Sequence, residues 1–383
     1  MKEFSFSVPQ DIIFGEGSIK RVEEILKKNN WSKPFIISGK NLTRLGVADK
    51  IIKLVEKAGY KAELFNEVEA NPSVETVEKA ALAFKESKAD AIIALGGGSP
   101  MDVAKAVGIV AVYGGNIKDY EGGGKVPGKI TPIIAIPTTA GTGSEVTAFT
   151  VITDHTRNYK LTVFSYELIP QYAILDPELI LSLSGPIAAA TGIDALVHAI
   201  EAYLSKAASP FTDAFAEKAM ELIGENLRLF TADRTNLLAA SAMLTGSMFA
   251  GLAFAYARLG NVHAMAHPLG GFFDVSHGVA NAILLPVVME YNAISDKGRY
   301  KKIYGYLTPD RKVPEDFTTD LLIKELKEMA VNLGIPKNLK EVGVTEDMIP
   351  VMAEDAMKSG NILVNPRQST LEDIIGLYKK AMD

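Results

Sequence analysis

The sequence predicts a chain in two parts: an α/β domain built on a parallel sheet over residues 1–183, and an all-α domain over residues 184–383. Three observations lead there. In the first half, short β-branched runs alternate with amphipathic helical patterns, the mark of βαβ units whose strands lie parallel. Beyond about Ser184 this texture gives way to Ala/Leu/Met/Glu-rich segments at helical spacing. Finally, a glycine-rich and a threonine-rich loop each follow a buried apolar strand, and two such loops at neighbouring strand ends suit a dinucleotide.

Taken in order, Lys33–Gly39 reads as a buried strand ending in a turn, and Val47–Ala58 has helical periodicity. Lys61–Phe65 is the next strand. Asn71-Pro72-Ser73 opens a helix through Ser87, with Ser73 as its N-cap and Glu75 and Glu78 in its early turns. Asp90–Leu95 is an apolar strand that runs into Gly96-Gly97-Gly98-Ser99, and a helix follows from Pro100 to about Val112. Ile130–Ile136 is another buried strand, and Ala173-Ile174-Leu175 before Asp176-Pro177 is the last clear strand-to-turn signal. No repeat or low-complexity linker is evident, so the domains are expected to pack closely, with a ligand cleft between them.

Glycines at 96–98 let the backbone approach a pyrophosphate, and the following helix offers free N–H groups to the anion. Pro100 suits a first helical turn. The loop is neither Gly-x-Gly-x-x-Gly nor a Walker A motif, so the alternative of a plain tight turn stays open. The second loop, Pro137-Thr138-Thr139-Ala140-Gly141-Thr142-Gly143-Ser144-Glu145, supplies hydroxyls and open amides for a nucleotide, or else simply caps a helix.

The chain's formal net charge is −6, and no Lys/Arg-rich block is present, which argues against a general nucleic-acid partner. The first residues lack the apolar run of a signal peptide, and no stretch reads as bilayer-spanning without a charge or breaker, so no membrane partner and a cytoplasmic location are expected. With no cysteine in the chain, disulfides, thiolate metal sites and cysteine nucleophiles are excluded. Any metal must be held by nitrogen and oxygen.

Histidine is scarce, five in the chain, yet four fall between His198 and His277. Asp194 and His198 are separated by one helical turn, and so are His263 and His267, which places each pair on one helix face. One carboxylate with three imidazoles is a full set of protein ligands for a divalent transition metal. Spacing alone does not say which four of the five groups bind.

Together these segments resemble the iron-containing (group III) alcohol dehydrogenase family. The matching elements are Gly96–Asp102, Pro137–Glu145, Gly192-Ile193-Asp194-Ala195-Leu196-Val197-His198 with the Ala199–Tyr203 run, and His263–His277, in the family's order over nearly the whole chain. The resemblance implies a dinucleotide-binding domain and a helical metal domain of dehydroquinate-synthase-like fold, assembled as a homodimer or larger. It makes Asp194, His198, His263 and His277 the metal ligands and His267 an additional active-site histidine suited to relaying a proton. It puts Gly97, Gly98, Ser99 and Asp102 at the pyrophosphate, and Thr138, Thr139, Thr142, Lys160 and Leu179 near the ribose and nicotinamide. Phe149, Val151 and Phe254 become apolar walls of the substrate pocket.

One position departs from many NAD-using members. Where those carry an Asp for the adenosine ribose, this chain has Gly39, followed by Lys40. Without the carboxylate, a 2′-phosphate meets no repulsion and Lys40 can pair with it, so NADP is preferred over NAD; Lys40 as a solvated turn residue is the alternative. The expected reaction is reversible hydride transfer between a small alcohol or aldehyde and NAD(P), with Fe²⁺ or alternatively Zn²⁺ as Lewis acid. The rivals are a polyol dehydrogenase, a dehydroquinate-synthase-like lyase and, from another class, a nucleotide- or metal-sensing protein without turnover.

Overall fold

The computed structural model describes residues 6–9, 11–157 and 159–383. The first five residues, over which the signal-peptide question was posed, lie outside the described ones. The chain forms two compact units: residues through Thr139 together with Ser144–Ile180, and Ala140–Gly143 together with Leu181–Asp383.

In the sheet unit the order is β1 (Asp11–Phe14), α1 (Arg21–Asn29), β2 (Pro34–Ile37), α2 (Lys40–Arg44), α3 (Val47–Lys57), β3 (Glu63–Phe65), α4 (Val74–Ser87), β4 (Ala91–Gly96) and α5 (Gly98–Tyr113). Then come β5 (Gly122–Gly123), β6 (Ile133–Pro137), the hairpin strands β7 (Phe149–Asp154) and β8 (Tyr159–Phe164), and β9 (Tyr172–Leu175). Six strands lie in the order β1-β9-β6-β4-β2-β3, every pair parallel. Alternation along the strands builds the two faces. Phe35, Ile37, Ile92, Ala94, Ile133 and Ala135 pack against α4 and α5, while Ile36, Ile93, Leu95, Ile134, Ile136 and Ile174 pack against α1 and α3.

Ser73 caps α4 as expected, its hydroxyl accepting from the Thr76 amide at 3.2 Å. The helix after the glycine loop begins at Gly98, two residues before the Pro100 start read from the sequence. Two features escaped the sequence reading: the edge strand β1, and a small second sheet in the order β5-β8-β7. Phe149 and Val151 belong to the second sheet, alternate residues on one half-buried face of β7.

The helical unit runs α6 (Gly185–Leu204), α7 (Pro210–Ala232), α8 (Leu237–Ala257), α9 (Asn261–Phe273), α10 (His277–Asn292), α11 (Arg299–Leu307), α12 (Thr319–Asn332), α13 (Ile349–Met357) and α14 (Leu371–Ala381). Helix α6 packs against α7, α8 and α10, and α10 packs against α9. The contact of α10 with α6 is unusually close: a Cβ at Gly278 would stand 2.0 Å from the Ala190 carbonyl oxygen. Only glycine fits there. Among the described residues three helical segments, Gly185–Leu204, Leu237–Ala257 and His277–Ser295, are by length and composition long and apolar enough to cross a membrane. Each still contains a charge, glycine or proline, Leu237–Ala257 only Gly246 and Gly251. Their apolar windows are 83, 61 and 67 % buried inside the protein.

One buried cation fastens the sheet unit. Lys105, inside α5 and fully buried, directs Nζ at the Ser144 carbonyl (2.8 Å) and hydroxyl (3.0 Å), the Thr147 carbonyl (3.0 Å) and hydroxyl (3.2 Å), and the Phe149 carbonyl (2.9 Å). Burial pushes its pKa down to about 8, against the pull of Asp102 and Glu145. The Ser144–Phe149 segment thus draws several hydrogen bonds from one ammonium group. Replacing it by Met strands those acceptors, so Lys105→Met should cost about 3 kcal/mol and lower the thermal midpoint by roughly 6–12 °C in a calorimetric scan.

Candidate metal centre

Three helices supply the site, and each does so by helical spacing. On α6, Asp194 and His198 are one turn apart, with Glu201 a further turn along. Helix α9 begins at Asn261 and presents His263 near its start; α10 begins at His277 and carries Asn281 one turn later. One ligand atom from each of Asp194, His198, His263 and His277 lies within 4.8 Å of all the others. The Nε2 atoms of His263 and His277 both stand 3.8 Å from Asp194 Oδ1. The first three residues are buried; His277 is the most open, with 32 % of its side chain exposed.

The far ring nitrogens settle which way the imidazoles face. His198 Nδ1 is 3.2 Å from the Gly141 carbonyl oxygen, which can only accept, so Nδ1 donates and Nε2 keeps its lone pair. His263 Nδ1 is 2.6 Å from Glu201 Oε2, which fixes the same tautomer. Burial lowers the pKa of His198, and burial with the neighbouring imidazoles lowers that of His263 still further. Both rings are therefore neutral, the form that binds metal. Burial raises the Asp194 carboxyl, opposed by His198 and by a hydrogen bond from Asn281. These donor atoms fit a divalent transition metal bound through nitrogen and oxygen.

His267 is not part of the four-atom cluster; its ring stacks on that of His277, centroids 5.5 Å apart. Phe254, from α8, stacks on His198 with centroids 4.4 Å apart.

The nucleotide candidates fall at the strand ends of the sheet unit. β2 leads through α3 to β3 on one side, while β4 leads through α5 to β6 on the other, with the two helices on opposite faces. The loops leaving β2 and β4 thus flank the topological switch point, where open α/β sheets bind ligands. Gly39 caps α2 in an extended conformation, and Lys40 is exposed in its first turn. Gly97 caps α5 with no side-chain hydrogen bond, so Gly98 and Ser99 offer backbone donors at the helix start. A Cβ on Gly97 would lie 3.0 Å from Thr139 Oγ1, and the Thr138 amide bonds the Gly96 carbonyl at 3.0 Å, so the two loops adjoin.

Other candidates sit differently. The half-buried Asp102 accepts from the Ser144 hydroxyl at 3.3 Å, and burial pushes it up to about 6 against Lys105. Lys160 bonds Asn71 Oδ1 at 2.9 Å. Leu179 is packed into the core beneath α1 and α3, and Thr142 belongs to the Ala140–Gly143 segment of the helical unit.

Sequence reasoning missed Glu201, Asn281 and Gly278. Glu201 follows His198 by three residues and Asn281 follows His277 by four, so helical spacing could have found both. Glu201 serves two ends at once: it accepts from the Val262 and His263 amides at 2.7 and 3.3 Å, capping α9, and from the His263 ring. Partners of this kind commonly control metal affinity about 10–100-fold, so Glu201→Gln should weaken Zn²⁺ binding by that factor in calorimetric titration of metal-stripped protein.

Two family models match the chain: "Iron-containing alcohol dehydrogenase" over residues 9–177 and "Fe-containing alcohol dehydrogenase family, C-terminal" over residues 188–382. A 1,3-propanediol dehydrogenase of Citrobacter freundii is 39 % identical over 382 residues, covering 99 % of this chain and 98 % of its own. An NAD-dependent methanol dehydrogenase of Bacillus methanolicus is 36 % identical, covering 99 % and 100 %. The solved structure of an alcohol dehydrogenase from Oenococcus oeni superposes with a TM-score of 0.94 at 36 % identity, over 99 % of this chain and 100 % of that one. The chain is thus an oxidoreductase of alcohols and aldehydes that belongs to the iron-containing alcohol dehydrogenase family.

Proposed function

We propose that Asp194, His198, His263 and His277 hold Fe²⁺, with Zn²⁺ as the alternative ion, and that the chain reversibly interconverts small alcohols and aldehydes using NADP in preference to NAD. The observation that carries the reading is the convergence of four ligand atoms within 4.8 Å, with two ring tautomers set by Gly141 and Glu201. When bound, the ion supplies Lewis-acid polarisation of the substrate oxygen, and the nicotinamide supplies or takes the hydride. The remaining work falls to the chain. His267, beside His277, passes the hydroxyl proton. Phe254 covers one side of His198, and Phe149 and Val151, on the half-buried face of β7, are the other apolar candidates for contact with a short substrate. Gly97, Gly98 and Ser99 receive the pyrophosphate at the start of α5, with Thr138, Thr139, Thr142, Lys160, Asp102 and Leu179 as the further cofactor candidates.

The cofactor preference rests on two features. Lys40 is exposed beside Gly39 at the switch point, and a Cβ at position 39 would stand 3.1 Å from the Val68 carbonyl oxygen, leaving little room for an acidic side chain. The methanol dehydrogenase relative, named as NAD-dependent, supports the opposite choice. A cytoplasmic homodimer or larger assembly completes the reading. Strand β1, with Ile12 37 % and Phe14 50 % exposed, is an edge of the sheet among the described residues, and a second copy could add there.

Metal-stripped protein reloaded with Fe²⁺ or Zn²⁺ should oxidise NADPH in the presence of short aldehydes, followed by reduced-nicotinamide absorbance. His198→Ala should lower kcat/KM by about 10³. Absence of turnover with every metal and nucleotide would overturn the reading. Lys40→Ala should cut kcat/KM for NADPH about tenfold and leave NADH unchanged; equal losses with both nucleotides would remove the NADP assignment.

A further inference from the structure

We infer that Asn281 is a positioning residue of the metal centre, whose amide orients the Asp194 carboxylate for an ion. The inference rests on reading the four-residue cluster as the metal site. Asn281 is fully buried on α10, one turn after His277. Its Nδ2 lies 2.6 Å from Asp194 Oδ1, 3.1 Å from His263 Nε2 and 3.2 Å from His277 Nε2. The bond to the carboxylate leaves that oxygen a further lone pair for an ion, while the single lone pairs of the two Nε2 atoms stand within reach of the same amide and would pass to the ion. The other end of the same amide is abandoned: Asn281 Oδ1 is buried with no hydrogen-bond partner.

That asymmetry separates positioning from packing. A buried amide that merely filled space would be better replaced by Leu, because an unpaired carbonyl oxygen in the interior is costly. What the residue contributes lies at its donor end. The chemistry suits an ion site: a lysine or arginine here would neutralise Asp194 and compete with a cation, whereas an amide N–H orients the carboxylate without adding charge. It also accommodates the Nε2 atoms of His263 and His277 only as unprotonated acceptors. For His263 that is the tautomer which Glu201 imposes from the far side of the ring. The ligand set is thus held in place from within before any ion arrives.

The test uses metal-stripped wild type, Asn281→Leu and Asn281→Ala, titrated with Zn²⁺ by calorimetry and with Co²⁺ by its visible d–d bands. Wild type should bind one ion per chain. Both variants should show a Kd raised tenfold or more and altered Co²⁺ bands. The metal-free thermal midpoint of Asn281→Leu should change little, because the orphaned oxygen and the donor to Asp194 are lost together. An unchanged Kd and unchanged Co²⁺ bands in a folded variant would overturn the inference. So would a fall in the metal-free midpoint with metal binding intact, which marks a purely structural residue. Failure of wild type itself to bind either ion would instead remove the four-ligand reading on which this one stands.

Discussion

The four-residue cluster proposed to hold the metal depends on how closely α10 approaches α6. The four ligand atoms come from three helices, and imidazole and carboxylate side chains are too short to meet across an ordinary helix spacing of about 8–10 Å without favourable placement. Gly278 provides that placement. It removes the one Cβ that would strike the Ala190 carbonyl, a turn before Asp194, and it does so at the residue next to His277. Position and chemistry are thereby fixed within one short stretch, with the glycine setting the approach and the adjoining histidine using it.

The same economy appears on the opposite side of the cluster. Glu201 lies on the helix that carries Asp194 and His198, yet its carboxylate terminates α9 and orients the His263 ring. A helix start is where free amides favour an anion, so the cap and the ligand support are one interaction. In the sheet unit Lys105 plays the inverse part, a buried cation gathering carbonyl and hydroxyl oxygens of the loop that follows the threonine-rich segment. Both groups sit in helices whose sequence alone marks them as ordinary charged positions.

Much of this was legible in the sequence, and the limits have physical reasons. Strands β2, β4, β6 and β9 were readable because a parallel sheet covered on both faces demands continuous apolar runs. The Ser73 cap was readable because it is local chemistry. Strand β1 and the hairpin were not: four residues carry little pattern, and in Phe149–Asp154 the buried face carries Thr150, Ile152 and Asp154, two polar residues out of three. Helical spacing found Asp194 with His198, and equally paired His263 with His267, although only the first of that pair joins the cluster. Spacing reports which side chains share a face, but not which turn of the helix meets its neighbours. Glu201 and Asn281 obey the same spacing rule, but nothing in their residue types distinguishes a support of the cluster from an ordinary helix position.

The position of β1 has a consequence for biosynthesis. Among the described residues its one neighbour in the sheet is β9, with Asp11 aligned to Tyr172 and Phe14 to Leu175. As the chain leaves the ribosome, the first strand emerges long before the one it must join. At roughly 5–20 residues per second, translation leaves it without a partner for on the order of 10–30 s. Closure of the sheet at this edge is therefore a late event, since β1 can pair with β9 only after about 160 further residues have been made, and Ile12 and Phe14 stay open to a chaperone through that interval.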